Sequence, residues 1–207
     1  LIRERKRLQE LEYLFNHALA QEAAYESTLI QQRKALHLKV AQSIEKIFTE
    51  RLHEFYGMLA HHYGLAGDGE KTEEYLIKAG EEALKSSASS EALNYLQEAL
   101  KLYIAKHGAN ADPDKLATLE KNIALAYHNK ARYKEAMRYF DTALERYGMP
   151  IPKYRPTGIA KALWGFLVLL KICYFKLPGP KKSPTTKDYE AFEICMRAGE
   201  ASFLVDP

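Results

Sequence analysis

Small and large apolar residues recur with helical spacing through residues 117–150, and this pattern is the strongest constraint on the fold. Its key positions are Ile123, Ala124, Tyr127, Ala131, Tyr133, Ala136, Phe140, Ala143, Leu144 and Pro150. Alanines on two facing helices let the backbones approach closely, and aromatic side chains fill the space beside them. One such helix pair cannot bury its apolar face alone, so we predict that neighbouring pairs stack against it.

Weaker copies of the same pattern precede and follow this unit. One copy consists of Ala79, Gly80, Ala83, Ala92, Leu96, Ala99 and Leu100, and another of Leu59, Ala60, Tyr63, Gly67, Leu76 and Ala79. The segment 197–201 (RAGEA) repeats the character of 78–82 (KAGEE). Repeats at a fixed period predict an all-α, right-handed solenoid of helix pairs, preceded by an N-terminal helical segment.

Breaks in the helical pattern divide the chain. They fall at 64–69, 86–90, 107–114 and 130–132, and Asp112-Pro113-Asp114 has the composition of a helix start. From Leu8 to Thr49 the apolar spacing is helical, and no run alternates long enough to predict a strand. We predict an N-terminal helical segment at 1–52 and repeats at 53–150. An apolar helix, a proline-rich loop and the first helix of a further repeat then follow at 151–207.

The unit at 117–150 resembles the tetratricopeptide repeat. Two positions depart from that family's pattern: its turn glycine is Ala131 here, and its large residue at the start of the repeat is Glu120. The resemblance implies that the chain binds a protein or peptide partner on the concave face that stacking creates.

The first helix of this unit supplies the predicted partner-binding residues. They are Lys121, Asn122, Leu125, His128 and Asn129. A lysine with an asparagine is typical of repeats that clamp a peptide carboxylate. One of each does not define such a clamp, so ordinary exposed surface is the alternative.

A second resemblance covers residues 12–103. The strings YLFNHALAQEAAY (13–25), RKALH (33–37), LAHHY (59–63) and YLIKAGE (75–81) resemble the region after the nucleotide-binding domain in large bacterial signalling ATPases. Many of those proteins carry a class III adenylate or guanylate cyclase domain, and in them a winged-helix-like segment precedes the repeats. The resemblance therefore implies that residues 1–52 include the end of such a segment. The resemblance implies a cytoplasmic regulatory module, cut from a longer polypeptide, that acts on other domains of that polypeptide. We expect no catalytic residue and no cofactor in this stretch, which contains no phosphate-binding GxxxxGK[ST] motif.

Charge, histidine and cysteine usage exclude several classes of function. The net charge of +3 is too small to indicate a nucleic-acid partner. Adjacent His61 and His62 point about 100° apart on a helix, so we predict no metal site. We expect His17 and His37 to form hydrogen bonds in the packing of the first helices. Cys173 and Cys195 form no CxxC pair; free thiols are favoured, and a disulfide is the alternative.

Residues 158–175 (GIAKALWGFLVLLKICYF) form the most apolar stretch. Lys161 and Lys171 argue against a membrane-spanning helix. The remaining interpretations are a helix packed on the repeats, a homodimer face or a membrane-surface helix. The face concerned would contain Trp164, Phe166, Leu167 and Leu170. A small-molecule sensor with its ligand in the superhelix groove or against the Trp164 helix is a further alternative.

Overall fold

A computed structural model describes residues 2–7, 10–15, 17–149 and 186–205, with side chains for 17–149 and 189–201. Helices dominate the described residues, and the predicted all-α class is confirmed. The chain forms two compact units, Leu1–Tyr75 and Leu76–Pro207. The predicted apolar stretch 158–175, including Trp164, Phe166, Leu167 and Leu170, lies outside the described residues.

The first unit begins with an antiparallel hairpin of β1 (Ile2–Arg7) and β2 (Glu10–Phe15). The prediction of helix from Leu8 is therefore corrected over residues 10–15. Leu11, Tyr13 and Phe15 alternate over a run so short that its spacing suits a strand as well as a helix. The pairing also places Arg5 opposite Glu12 and Arg7 opposite Glu10, and opposite charges across a strand pair are favourable.

Helices make up the rest of the first unit. They are α1 (Ala18–Ser27), α2 (Ile30–Ile47), a 3₁₀ segment (Thr49–Phe55), α3 (Tyr56–Ala66) and the start of α4 (Gly69–Lys85). α2 packs against α3 through Ala41 and Ile44 on one side and Leu59 on the other. Gly67 ends α3 with φ = 85°, a left-handed conformation that glycine adopts without strain.

His37 joins three helices of this unit, in agreement with its predicted packing role, whereas His17, for which the same role was predicted, is exposed at the start of α1. Its Nε2 lies 3.0 Å from the Tyr25 hydroxyl of α1, and its Nδ1 lies 2.9 Å from Nδ1 of His62 on α3. Burial lowers the pKa of His37, and the nearby His61 lowers it further. Burial also lowers the pKa of His62, with added effects of His37 and His61. The contact is therefore one between neutral imidazoles.

The Glu45 carboxylate joins α2 to α3 and α4. It accepts hydrogen bonds from the hydroxyls of Tyr63, at 2.7 Å, and Tyr75, and Lys71 Nζ lies 3.6 Å away. Burial alone would raise the pKa of Glu45, but the two tyrosine hydrogen bonds and Lys71 outweigh it, so the pKa is lowered from 4.5. Both tyrosines are buried residues, so this carboxylate satisfies two hydroxyls that water reaches poorly.

We expect Glu45→Ala to lower the free energy of unfolding by about 2–3 kcal/mol, because it leaves both tyrosine hydroxyls without their acceptor. Glu45→Gln keeps an acceptor oxygen and is expected to cost less. The pKa of Glu45 is lower in the folded chain than in the unfolded one, so its ionised form stabilises the fold above pH 4.5. That contribution is lost as the pH falls below this value. Urea unfolding between pH 3 and pH 7 checks this prediction; an equal pH dependence in the wild type and Glu45→Gln would contradict it.

The second unit contains the end of α4, then α5 (Ser89–His107), a 3₁₀ turn (Gly108–Asn110), α6 (Pro113–Asn129), α7 (Tyr133–Arg146) and α8 (Thr186–Val205). The four predicted breaks coincide with the observed helix ends. The predicted start of α6 is also confirmed: the Asp112 side chain accepts a hydrogen bond from the backbone N–H of Asp114, and Pro113 is the first helical residue.

Small residues set the distance between α4 and α5. A Cβ atom on Gly80 would lie only 2.5 Å from Cγ of Leu96, which is completely buried. Any larger side chain at position 80 would force the two helices apart. The second copy of the repeat pattern thus has the close helix contact that its Ala79-Gly80 pair predicts.

The turn between α6 and α7 places Ala131 in the left-handed region, with φ = 56°. Its N–H donates to the carbonyl of His128 at 2.9 Å, and the next N–H, of Arg132, donates to that of Tyr127 at 3.0 Å. These bonds end α6 in the manner that usually requires glycine, because the Cβ of other residues is strained there.

We expect Ala131→Gly to raise the free energy of unfolding by about 0.5–1 kcal/mol, since glycine relieves this strain. Ala105→Gly is the matched control, because Ala105 is exposed inside α5 and glycine there is expected to cost about 1 kcal/mol. Thermal unfolding of the two variants should give shifts of opposite sign, and a destabilised Ala131→Gly would contradict the argument.

Candidate interaction surface

α6, α7 and α8 share one apolar core in the second unit. Its buried members are Ala124, Ala136, Phe140, Ala143, Leu144, Ala191, Ile194 and Ala198. Most are alanines, so the helices approach closely, and Phe140 is the largest side chain among them. α8 therefore packs on the α6–α7 pair as a third layer of the same kind.

A buried ion pair replaces the large residue that the repeat pattern lacks at position 120. Glu120 is buried, and Arg146 on α7 donates to both of its carboxylate oxygens, at 2.7 and 2.9 Å. Two parallel N–H···O bonds hold the guanidinium and the carboxylate in one geometry. The pair ties the end of α7 to the middle of α6.

Lys121 lies at the contact between α6 and α8. Its side chain is only 12% exposed, and its Nζ lies 3.2 Å from a Glu190 carboxylate oxygen on α8. The same oxygen accepts a hydrogen bond from the Tyr147 hydroxyl at 2.5 Å. Burial alone would raise the pKa of Glu190, but Tyr147 and Lys121 lower it, so this carboxylate is ionised at neutral pH. Burial, with the Glu190 contact, raises the pKa of Tyr147 to about 12.

The other four predicted partner-binding residues have different environments. Asn122 is buried, and Leu125 is partly buried against the shared core. His128 is half-buried, with Nε2 3.7 Å from a Glu200 oxygen of α8 and no hydrogen-bond partner. Burial lowers the pKa of His128, and the charge of Arg197 lowers it further. The charge of Glu200 acts in the opposite direction but does not outweigh them. Asn129 is exposed. Lys121, Leu125 and His128 thus contact α8 or the core that it shares with α6 and α7.

α8 presents a second apolar side to solvent. Tyr189, Phe192 and Met196 are each more than half exposed and lie on one side of the helix, at spacing i, i+3, i+7. The buried side, with Ile194 and Ala198, lies on the opposite face. We call the exposed residues the outer stripe. A helix that is apolar on two opposite sides is typical of an interior position between neighbours.

Other classes of site find no support in the described parts of the chain. Residues 17–149 and 189–201 contain no group of three or more His, Cys, Asp or Glu side chains placed to hold a metal ion. Cys195 is a free, exposed thiol, and Cys173 lies outside the described residues. None of the described helices is long and apolar enough to cross a membrane.

α6 and α7 form a helix pair joined by a tight turn, and α8 packs on that pair. This arrangement is that of a helical repeat. Comparison with known families agrees: residues 122–148 match the tetratricopeptide-repeat family model. The chain therefore contains a tetratricopeptide-repeat region, and such repeats generally mediate protein–protein interactions. Neither curated proteins nor solved structures give a match to this chain.

The sequence analysis missed the outer stripe and the Glu120–Arg146 pair. The spacing of Tyr189, Phe192 and Met196 is visible in the sequence, but it indicates only an apolar side. Which of two apolar sides is covered depends on tertiary packing. The ion pair joins residues 26 positions apart and follows no local rule.

Proposed function

We propose that this chain is a protein-interaction module and that the outer stripe of α8 binds a helical segment of a protein partner. The single observation that carries the proposal is the two-sided apolar character of α8. The inner side, with Ala191, Ile194 and Ala198, is covered by the α6–α7 pair, and the outer side exposes the larger side chains of Tyr189, Phe192 and Met196.

The contact between α6 and α8 supports a helix as the partner. In that contact, alanines allow close approach, and a basic residue of one helix pairs with an acidic residue of the next, as Lys121 does with Glu190. The outer stripe offers aromatic and methionine side chains, which are enriched in protein interfaces, and the exposed Glu193 lies at its edge. A partner helix with an apolar side and a neighbouring lysine or arginine fits this surface.

We infer further that the module regulates a nucleotide-binding or cyclase domain of the same polypeptide. Support for this part comes from the resemblance of residues 12–103 to signalling ATPases alone. The chain itself is expected to bind no nucleotide. Titration calorimetry with ATP and Mg²⁺ checks this expectation, and stoichiometric binding heat would contradict it.

Selection from a phage-displayed library of helical peptides tests the partner class. We expect enriched peptides to share an amphipathic pattern and to lose most of their affinity for a chain carrying Phe192→Gln and Met196→Gln. Ile104→Gln is the matched control, because it removes an exposed apolar residue of α5 that is not part of the outer stripe. Enriched peptides that bind both variants equally, or no enrichment at all, would refute the proposal.

A further inference from the structure

We propose that one side of α2 is a second docking surface, which binds an amphipathic helix with acidic flanks from a partner protein. This surface lies in the first unit, and the argument for it is independent of the proposed function of α8. We call it the α2 seam, and it consists of Leu36, Val40 and Ile47, with Leu29 at its start.

The α2 seam is apolar and exposed over the whole length of an 18-residue helix. Leu29, Leu36, Val40 and Ile47 are 69%, 56%, 42% and 69% exposed. Successive residues of an α-helix are rotated by about 100° around its axis. Spacings of seven, four and seven residues therefore place these four side chains within about 40° of one another. Leu29, Leu36, Val40 and Ile47 occupy four of six successive heptad core positions, and Arg33 and Ser43 occupy the other two.

Among the residues that the structure describes, α3 covers one edge of the apolar side of α2. Ala41 and Ile44 are buried, and α2 packs against α3. The α2 seam lies roughly a quarter turn away from them around the helix. The exposed residues thus continue an existing helix–helix interface, and a further helix can pack beside α3.

α3 contributes apolar side chains to the same surface. Met58 and Leu65 lie two turns apart on one side of α3 and are 49% and 40% exposed. His61 lies on the adjoining side of α3, and its ring packs edge-on against His37 of α2, with 6.4 Å between ring centroids. This contact brings the exposed side of α3 next to α2.

Charge determines what kind of helix fits. α2 carries Arg33, Lys39 and Lys46 within about 100° of the α2 seam around the helix axis. Its one acidic residue, Glu45, lies on the far side and is bound by Tyr63, Tyr75 and Lys71. α3 contains no acidic residue. A partner with acidic residues beside its apolar stripe is therefore complementary. A second copy of this chain is not, because two α2 seams would bring Lys39 and Lys46 of both copies together.

The width of the α2 seam favours a helix over a lipid surface. Helices that lie in a membrane interface bury a broad apolar face between basic residues. The α2 seam spans about 40° around the helix, whereas membrane-surface helices and core-facing helices have an apolar face of about 100°. A stripe as narrow as this seam matches the contact that one partner helix makes.

A binding titration with the full 207-residue chain tests this proposal. The probe is a fluorescent 28-residue peptide with leucine at the first and fourth heptad positions and glutamate at the flanking ones; a matched peptide has lysine for glutamate. We expect the acidic peptide to bind and the basic one not to. Leu36→Gln with Val40→Gln should weaken binding at least about tenfold. Ile104→Gln, which changes an exposed apolar residue of α5, should leave it unchanged.

Charge reversal provides the second arm. Lys39→Glu with Lys46→Glu should exchange the preference, so that this variant binds the basic peptide. Circular dichroism confirms that each variant keeps its helices. Four results would overturn the proposal. They are equal binding of both peptides, binding that ignores the Leu36 and Val40 changes, co-sedimentation with phosphatidylserine vesicles that those changes abolish, and a dimer in sedimentation velocity that they abolish.

Discussion

Phe140→Ala is expected to lower the free energy of unfolding by about 3–5 kcal/mol. Phe140 is the largest completely buried side chain among the described residues and lies where α6, α7 and α8 meet. Its neighbours are mostly alanines, which cannot extend into the space that the ring leaves, so the cavity remains largely open. Guanidinium unfolding followed by circular dichroism measures the loss.

Phe192→Ala is the matched control for this prediction. Phe192 is also a phenylalanine on a helix of the second unit, but it is exposed. Its replacement is expected to change the free energy of unfolding by no more than about 0.5 kcal/mol. Equal losses for the two variants would mean that α8 packs with a different side against the α6–α7 pair.

Arg146→Ala is expected to cost about 3 kcal/mol, because it leaves the Glu120 carboxylate buried without its partner. This loss of stability lies at the lower end of the range for broken buried ion pairs, since the Arg146 side chain is one-third exposed and water can reach part of the site. Arg146→Lys keeps the charge but loses the two parallel hydrogen bonds, so an intermediate loss is expected. Urea unfolding at pH 7 measures all three chains.

The double variant Glu120→Leu with Arg146→Met is the decisive control for the ion pair. Removing both charges also removes the cost of burying them, so the double variant is expected to be as stable as the wild type, within about 1 kcal/mol, or more stable. A double variant that loses as much as Arg146→Ala would show that the pair itself, and not the stranded carboxylate, determines the stability.

Local rules predict the helices well. Asp112-Pro113 starts α6 as the sequence indicates, because a capping carboxylate and a proline at the first position act within one turn. The burial of Ala124, Ala136 and Ala143 likewise follows from their helical spacing, which is a local property of the sequence. The hairpin at 2–15 does not follow from local rules. The six residues of β2 suit the spacing of a helix as well as that of a strand, and pairing with β1 selects the strand.

The interaction surfaces depend on packing and are less predictable. Lys121 was predicted on a partner-binding face, but the identity of its intramolecular partner, Glu190, follows only from the docking of α8, 69 residues later. Likewise, the apolar spacing at Leu36 and Val40 was visible, but not that α3 leaves these residues exposed. A sequence shows that a helix has an apolar side; the fold decides which part of that side remains free.

The central claim is that α8 continues the stacking of the α6–α7 pair through a shared core of small residues. Amide hydrogen exchange of the wild type and Phe140→Ala tests this most directly, because it reports the three helices separately. The account predicts that Phe140→Ala speeds exchange in α6, α7 and α8 together. Loss of protection in α6 and α7 while α8 keeps its wild-type exchange rates would contradict it.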